Sequence, residues 1–215
     1  MDHLQLPAGW RKEHVIGGDW CGSRNKLCEY VLESKAEYLW FMDDDHSFAP
    51  DLLLKLLRWG KKLVVPVCLM RSAPFMPVTF AERLEDDPNG NARYLPVYYP
   101  EQKREGLIEL EAGGCAGMLI HRDVIEAMGG NWFEYGFASE DILFCQKAKD
   151  LGFTINCDLS ARLGHITTAV VYPANDADGE WCVGLRVGRD CDLIIPWPIN
   201  EIEKEMSAES EKVLV

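Results

Sequence analysis

The sequence predicts an α/β domain with a mostly parallel central sheet, flanking helices and a small antiparallel excursion. Three stretches carry that expectation. Tyr38 to Met42 is an unbroken apolar and aromatic run, which suits a strand covered on both faces, as in parallel sheets. Residues 38 to 67 read as strand, helix, strand: a βαβ unit with an expected right-handed crossover. Residues 71 to 100 are rich in Pro, Asp, Asn and Gly, with an Asn89-Gly90 turn between two short apolar arms.

The elements follow in order. Residues 1 to 22 carry few signals beyond one short strand, His14 to Ile16, before the Gly17-Gly18 turn. Ser23 reads as the N-cap of a helix with Leu27, Tyr30 and Val31 on one face. Arg24 then falls in the first turn, where a cation opposes the helix dipole. Pairing with an acid and gripping a phosphate both account for it. The run from Tyr38 ends in Asp43-Asp44-Asp45-His46. Acids at the C-terminal end of such a strand sit where open α/β sheets bind ligands. Three adjacent carboxylates repel one another, and a divalent cation is one reason to keep them together. A solvated acidic turn capping the next helix is the other reading.

Ser47 to Asp51 reads as that helix start, with Pro50 in the first turn and Leu53, Leu56 and Leu57 as the apolar stripe. Gly60 stops it, and Leu63 to Val67 is the next strand, shortened or ended by Pro66. Val78 to Phe80 and Tyr94 to Tyr98 are the hairpin arms of the excursion.

Leu107 to Leu110 is strand-like, and Met118 to Ile120 resumes an apolar run after the small residues Gly113, Gly114, Cys115, Ala116 and Gly117. Such residues allow either a tight bend or a close approach to a ligand. A short helix, Asp123 to Met128, ends at Gly129-Gly130. The aromatic loop Trp132 to Phe137 leads to Ser139-Glu140-Asp141. Ser139 with two acids is a sound helix start. It is equally a carboxylate base beside aromatics that could stack on a sugar. Ile142, Cys145 and Ala148 continue the helix face to Gly152, and Phe153 to Cys157 is a strand. His165 follows where the apolar pattern breaks. Three short strands, around Val170, Cys182 and Ile194, have turns at 175–179 and 188–190. One domain is expected over residues 1–200, with a charged tail over 201–215.

Composition limits the function. Against 22 basic residues stand 35 acidic ones, a formal charge of −13. Such a surface does not attract phosphate backbones or anionic lipid without a basic patch, and no Lys/Arg cluster exceeds Lys61-Lys62 or Lys103-Arg104. A nucleic-acid partner is therefore disfavoured. Eight cysteines without a Cys-x-x-Cys pair read as reduced thiols, several packed as small hydrophobes. No apolar run approaches the ~20 residues of a membrane helix, and no signal peptide is evident, so a cytoplasmic protein is expected.

Together these pieces resemble nucleotide-sugar-dependent glycosyltransferases of the GT-A fold, particularly small family-2-like members of phages and bacteria. The resemblance spans about residues 20 to 168. Ser23-Arg24-Asn25 is similar to the Ala-Arg-Asn start of that family's second helix. Phe41 to Asp45 matches its apolar strand ending in Asp-x-Asp. Gly113 to Ile120 resembles its glycine-rich acceptor-side strand, Ser139-Glu140-Asp141 its x-Glu-Asp motif, and Leu163-Gly164-His165 its late histidine.

The resemblance implies a nucleotide-diphosphosugar donor and a hydroxyl acceptor. Asp45, Asp43 and His165 would hold Mn²⁺ or Mg²⁺, the nitrogen ligand favouring Mn²⁺. Asp43, Asp44 and Asp45 would face the donor, with Arg24 and Arg71 on its diphosphate. Asp141 would be the base of an inverting displacement, and Glu140 would orient the acceptor beside Gly114, Cys115, Ala116 and Trp132. The pattern departs from the family at its start: the Arg-Asn pair comes by residue 25, so the usual first strand–helix unit is expected to be missing. A completing partner chain or a homo-oligomer then stays open. A non-catalytic sugar-binding or assembly subunit of the same fold is the competing reading. A phosphohydrolase is a third, since Asp43 to Ser47 loosely fits an Asp-x-Asp-x-Ser nucleophile loop, but no downstream Gly-Asp-x-x-x-Asp pair accompanies it.

Overall fold

The structure, a computed structural model, describes residues 4–72, 75–99, 102–179, 181–187 and 191–196. Where the sequence suggested one domain through residue 200, the contacts group into two compact units. One comprises Met1–Met70 with Met76–Ile166, the other Arg71–Phe75 with Thr167–Val215. The expected tail and the 188–190 turn lie outside the described residues.

The first unit opens without the expected strand at His14 to Ile16. Ile16 is 94% exposed, so no sheet covers it. Helix α1 (Trp20–Ser34) starts earlier than Ser23. Asp19 is its N-cap, accepting the Gly22 N–H at 2.8 Å, because a carboxylate there satisfies a free donor and complements the dipole. Strand β1 (Tyr38–Trp40) leads to the acids, and a second strand, β2 (His46–Phe48), follows them directly. The expected helix start at Ser47 is thereby corrected: helix α2 (Leu52–Leu57) begins only after Asp51, and β3 (Leu63–Cys68) follows.

The excursion is the hairpin β4 (Thr79–Leu84) and β5 (Arg93–Pro96), with Gly90 at φ 81° in the turn. Next come β6 (Leu107–Leu110), β7 (Ala112–Gly113), β8 (Leu119–His121), helix α3 (Arg122–Met128) and helix α4 (Glu140–Asp150). Strand β9 (Ile155–His165) runs well past the expected Cys157.

The central sheet has the order β1-β8-β3-β9-β2, with β6 also on β9. The expectation of a mostly parallel sheet holds only in part. The β3–β9 pair is parallel, whereas β1–β8, β3–β8, β2–β9 and β6–β9 are antiparallel. What the apolar runs did report is burial of both faces. In β3, Leu63 and Val65 enter one core cluster with Val31, Ile125 and Phe144, while Val64 and Cys68 enter another with Leu52 and Leu56 of α2. Alternate side chains of a strand point to opposite faces, so a strand covered on both must be apolar throughout. Pro66 sits at a register shift against β9, the kind of irregularity where a strand tolerates a proline. A smaller sheet, β5-β4-β7, completes this unit.

The second unit contains an antiparallel meander, β10 (Ala169–Asn175), β11 (Trp181–Val187) and β12 (Cys191–Pro196), at the three places the sequence marked.

Candidate functional site

The antiparallel register of β2 and β9 builds one half of the site. It sets His46 directly opposite His165, and the Ile166 N–H donates to the Asp45 carbonyl at 2.7 Å. The two imidazoles stack, their centroids 4.6 Å apart. His165 Nε2 is 3.1 Å from Asp45 Oδ2, and its Nδ1 is 3.0 Å from the Leu69 carbonyl. Both ring nitrogens thus face acceptors. A neutral imidazole has a single N–H. With one proton, the ring can donate to only one of these acceptors, and a cation at the other nitrogen would satisfy it.

His46 is the deeper ring, its side chain 1% exposed. Its Nδ1 is 3.2 Å from Asp45 Oδ1, yet this buried nitrogen makes no hydrogen bond. Its Nε2 faces Cys68 Sγ at 4.0 Å. Burial lowers the His46 pKa, against the pull of Asp43 and Asp45, so the ring is neutral near pH 7. Ligand atoms of Asp43, Asp45 and His46 lie within 4.8 Å of one another, and so do those of His46, Cys68 and His165. Asp43 and Asp44 are exposed and Asp45 half-buried.

The other half is built on α1 and the start of α4. Arg24 pairs with Glu140, their side chains 16% and 11% exposed, and the guanidinium lies over the Phe133 ring. Burial alone would lower the Arg24 pKa, but Cys115, Glu140, Asp43 and Asp141 around it raise it. Of the two sequence readings of Arg24, pairing with an acid is what the structure contains. Asn25 exchanges hydrogen bonds of 2.8 Å with the Phe133 backbone in both directions, which ties α1 to the loop before α4. Asp141 Oδ1 accepts from Ser139 Oγ and the Ile142 N–H, and its Oδ2 accepts the Cys115 N–H at 3.3 Å. Those three donors hold its carboxylate half-buried. Asp43 links the halves: its charge acts on Arg24 and Cys115 and also on His46 and Cys68.

Gly114 packs against Val78, where a Cβ would come within 3.1 Å of the Val78 side chain. Cys115 is buried and Ala116 half-buried. Trp132 departs from its expected acceptor-facing role: it is 6% exposed and its indole donates to the Ile125 carbonyl, so it is a core residue. The exposed aromatics of that loop are Tyr135 and Phe137. Arg71 is exposed and groups with the second unit. His46, the imidazole that ends the acid-rich stretch, and Cys68, a thiol within an apolar run, had no site role in the sequence reading. The alternation of His46, Ser47 and Phe48 was the available signal, too short to outweigh a helix start.

The profile described as Glycosyl transferase family 2 matches residues 15–129, more than half of the chain. No curated protein matches the sequence significantly. Among solved structures, the chain is similar to the protein A197 from STIV, at 15% identity and a TM-score of 0.49, over 81% of this chain and 78% of that one. It is also similar to GalNAc-T7, solved with UDP, GalNAc and Mn²⁺, at 14% identity and a TM-score of 0.48, over 68% of this chain but only 30% of that one.

Proposed function

Because the chain belongs to glycosyl transferase family 2, we propose that it moves a sugar from a nucleotide-diphosphate donor to an acceptor hydroxyl with inversion. The observation that carries this reading is the meeting of Asp45 with His165, 120 residues apart in sequence, at 3.1 Å. Around it, Asp43, Asp45 and His46 bring ligand atoms within 4.8 Å of one another, and His165 adds an imidazole on Asp45 that faces a second acceptor, chemistry that suits a divalent cation. Asp43, Asp45 and His165 would hold the cation, and Mn²⁺ suits the mixed oxygen and nitrogen donors better than Mg²⁺. When bound, such an ion neutralises the diphosphate leaving group.

The protein's own groups do the rest. Asp141 takes the proton of the acceptor hydroxyl as that oxygen bonds to the anomeric carbon and the carbon–phosphate-oxygen bond breaks. Its hydrogen bonds from Ser139, Ile142 and Cys115 fix the carboxylate for that task. Arg24 holds Glu140 in place and brings positive charge beside Asp141. Cytoplasmic action fits the reduced cysteines, and the acidic surface favours a neutral acceptor over nucleic acid.

The experiment is a thermal-shift panel of UDP, GDP, CDP and dTDP, each with and without Mn²⁺. One nucleotide should raise the Tm with Mn²⁺ by more than either ligand alone, since ligands that bind only the folded state stabilise it. Asp141→Asn should keep that shift and lose transfer by about 10²–10⁴-fold. No shift anywhere in the panel would end the reading. A shift with no donor turnover would favour a non-catalytic subunit.

A further inference from the structure

His46 and Cys68 take no part in the proposed transfer, yet they are buried beside it. Cys68, at the C-terminal end of β3, packs with the core residues of α2, and β2 delivers His46 beside it. The ligand atoms of His46, Cys68 and His165 lie within 4.8 Å of one another. A tetrahedral zinc site has Zn–S of about 2.3 Å and Zn–N of about 2.0–2.1 Å, so sulfur and nitrogen sit roughly 3.6 Å apart. His46 Nε2 and Cys68 Sγ are at 4.0 Å, within a small side-chain adjustment of that value. The opposite nitrogen, Nδ1, is buried without a hydrogen bond and faces the Asp45 carboxylate at 3.2 Å. A ligating imidazole that turned slightly would donate this N–H to Asp45, the kind of outer partner that metal-bound histidines have.

We propose that His46, Cys68 and His165 form a site for a thiophilic divalent cation, zinc above all, distinct in ligand chemistry from the oxygen-rich set of Asp43 and Asp45. One thiolate and two imidazoles select Zn²⁺ over Mn²⁺ or Mg²⁺, which prefer carboxylates and water. Three protein ligands with water in the fourth position satisfy zinc. Because the site uses His165, its occupation takes that imidazole from Asp45 and inhibits transfer. Only this last consequence rests on the function proposed above; zinc binding needs the three side chains alone. Burial holds the Cys68 thiol up at about 11, so binding releases a proton as the thiolate forms.

The test uses the whole, reduced, chelator-stripped chain. Titration with Co²⁺ should give a thiolate-to-metal charge-transfer band, and zinc-edge X-ray absorption of the Zn²⁺ form should show one sulfur and two imidazole nitrogens. Cys68→Ser should abolish the band and weaken Zn²⁺ by more than the roughly 10–100-fold that losing an outer partner costs. Cys191→Ser, in the second unit, should change neither. Asp43→Asn should weaken Mn²⁺ far more than Zn²⁺. A wild-type zinc shell of nitrogen and oxygen only would overturn the proposal, and it needs no variant to fold. Mn²⁺ binding with such a shell leaves the transfer reading standing alone. A sulfur-containing zinc shell without Mn²⁺ binding does the reverse.

Discussion

At the scale of the residue, Arg24 and Glu140 set the terms. Each is nearly buried, and the two pair directly. Removing one partner of such a pair leaves a charge without its counter-ion, whereas replacing both by apolar groups can be close to neutral. Arg24→Met should therefore destabilise the chain by about 3 kcal/mol, the low end for a pair that keeps some solvent. Arg24→Met with Glu140→Leu should recover most of that loss, as read from urea unfolding midpoints. Equal destabilisation by the single and double variants would mean the pair contributes only packing. The sequence left Arg24 between two roles because a charge without a visible partner nearby in the chain fits either. Its partner lies 116 residues away.

At the scale of the element, the tight turn before β8 and the cap of α1 carry separate predictions. Gly117 has φ 69°, and a Cβ there would come within 2.7 Å of Pro66 in β3. Gly117→Ala should cost about 1–3 kcal/mol from the backbone alone, lowering the Tm by roughly 2–4 °C per kcal/mol. An unchanged Tm in a calorimetric scan would remove the close approach. At the start of α1, the Gly22 N–H is the main reason the Asp19 carboxyl titrates below its ordinary range, outweighing slight burial. A depressed folded pKa stabilises the fold in full above the unfolded value of about 3.9. That contribution is lost as pH falls through the folded pKa. The Tm difference between the wild type and Asp19→Asn should thus be constant near neutrality and shrink on acidification. A difference that grows toward low pH would contradict the cap. Strand β2 is one element the sequence missed. Its three residues are too few for a period to register, and Pro50 with Asp51 supplied a strong helix signal just beyond them.

At the scale of the molecule, a formal charge of −13 governs encounters. The chain should pass through a heparin column at about 0.15 M salt, where the Debye length is ≈ 8 Å, and be retained on an anion exchanger. Retention on heparin would reveal a basic patch and reopen a nucleic-acid acceptor. No helix among the described residues is long and apolar enough to cross a membrane. By itself, the sequence determined the order of most elements, the burial of both sheet faces and the acid-rich turn after β1, because periodicity, caps and turn residues act over a few neighbours. Only the tertiary structure decided which strands run antiparallel, that Trp132 belongs to the core, and that His46 and Cys68 join Asp45 and His165. Apolar runs report that a face is covered, not the direction of the strand beside it. The meeting of side chains from three distant strands depends on register, which no local pattern encodes.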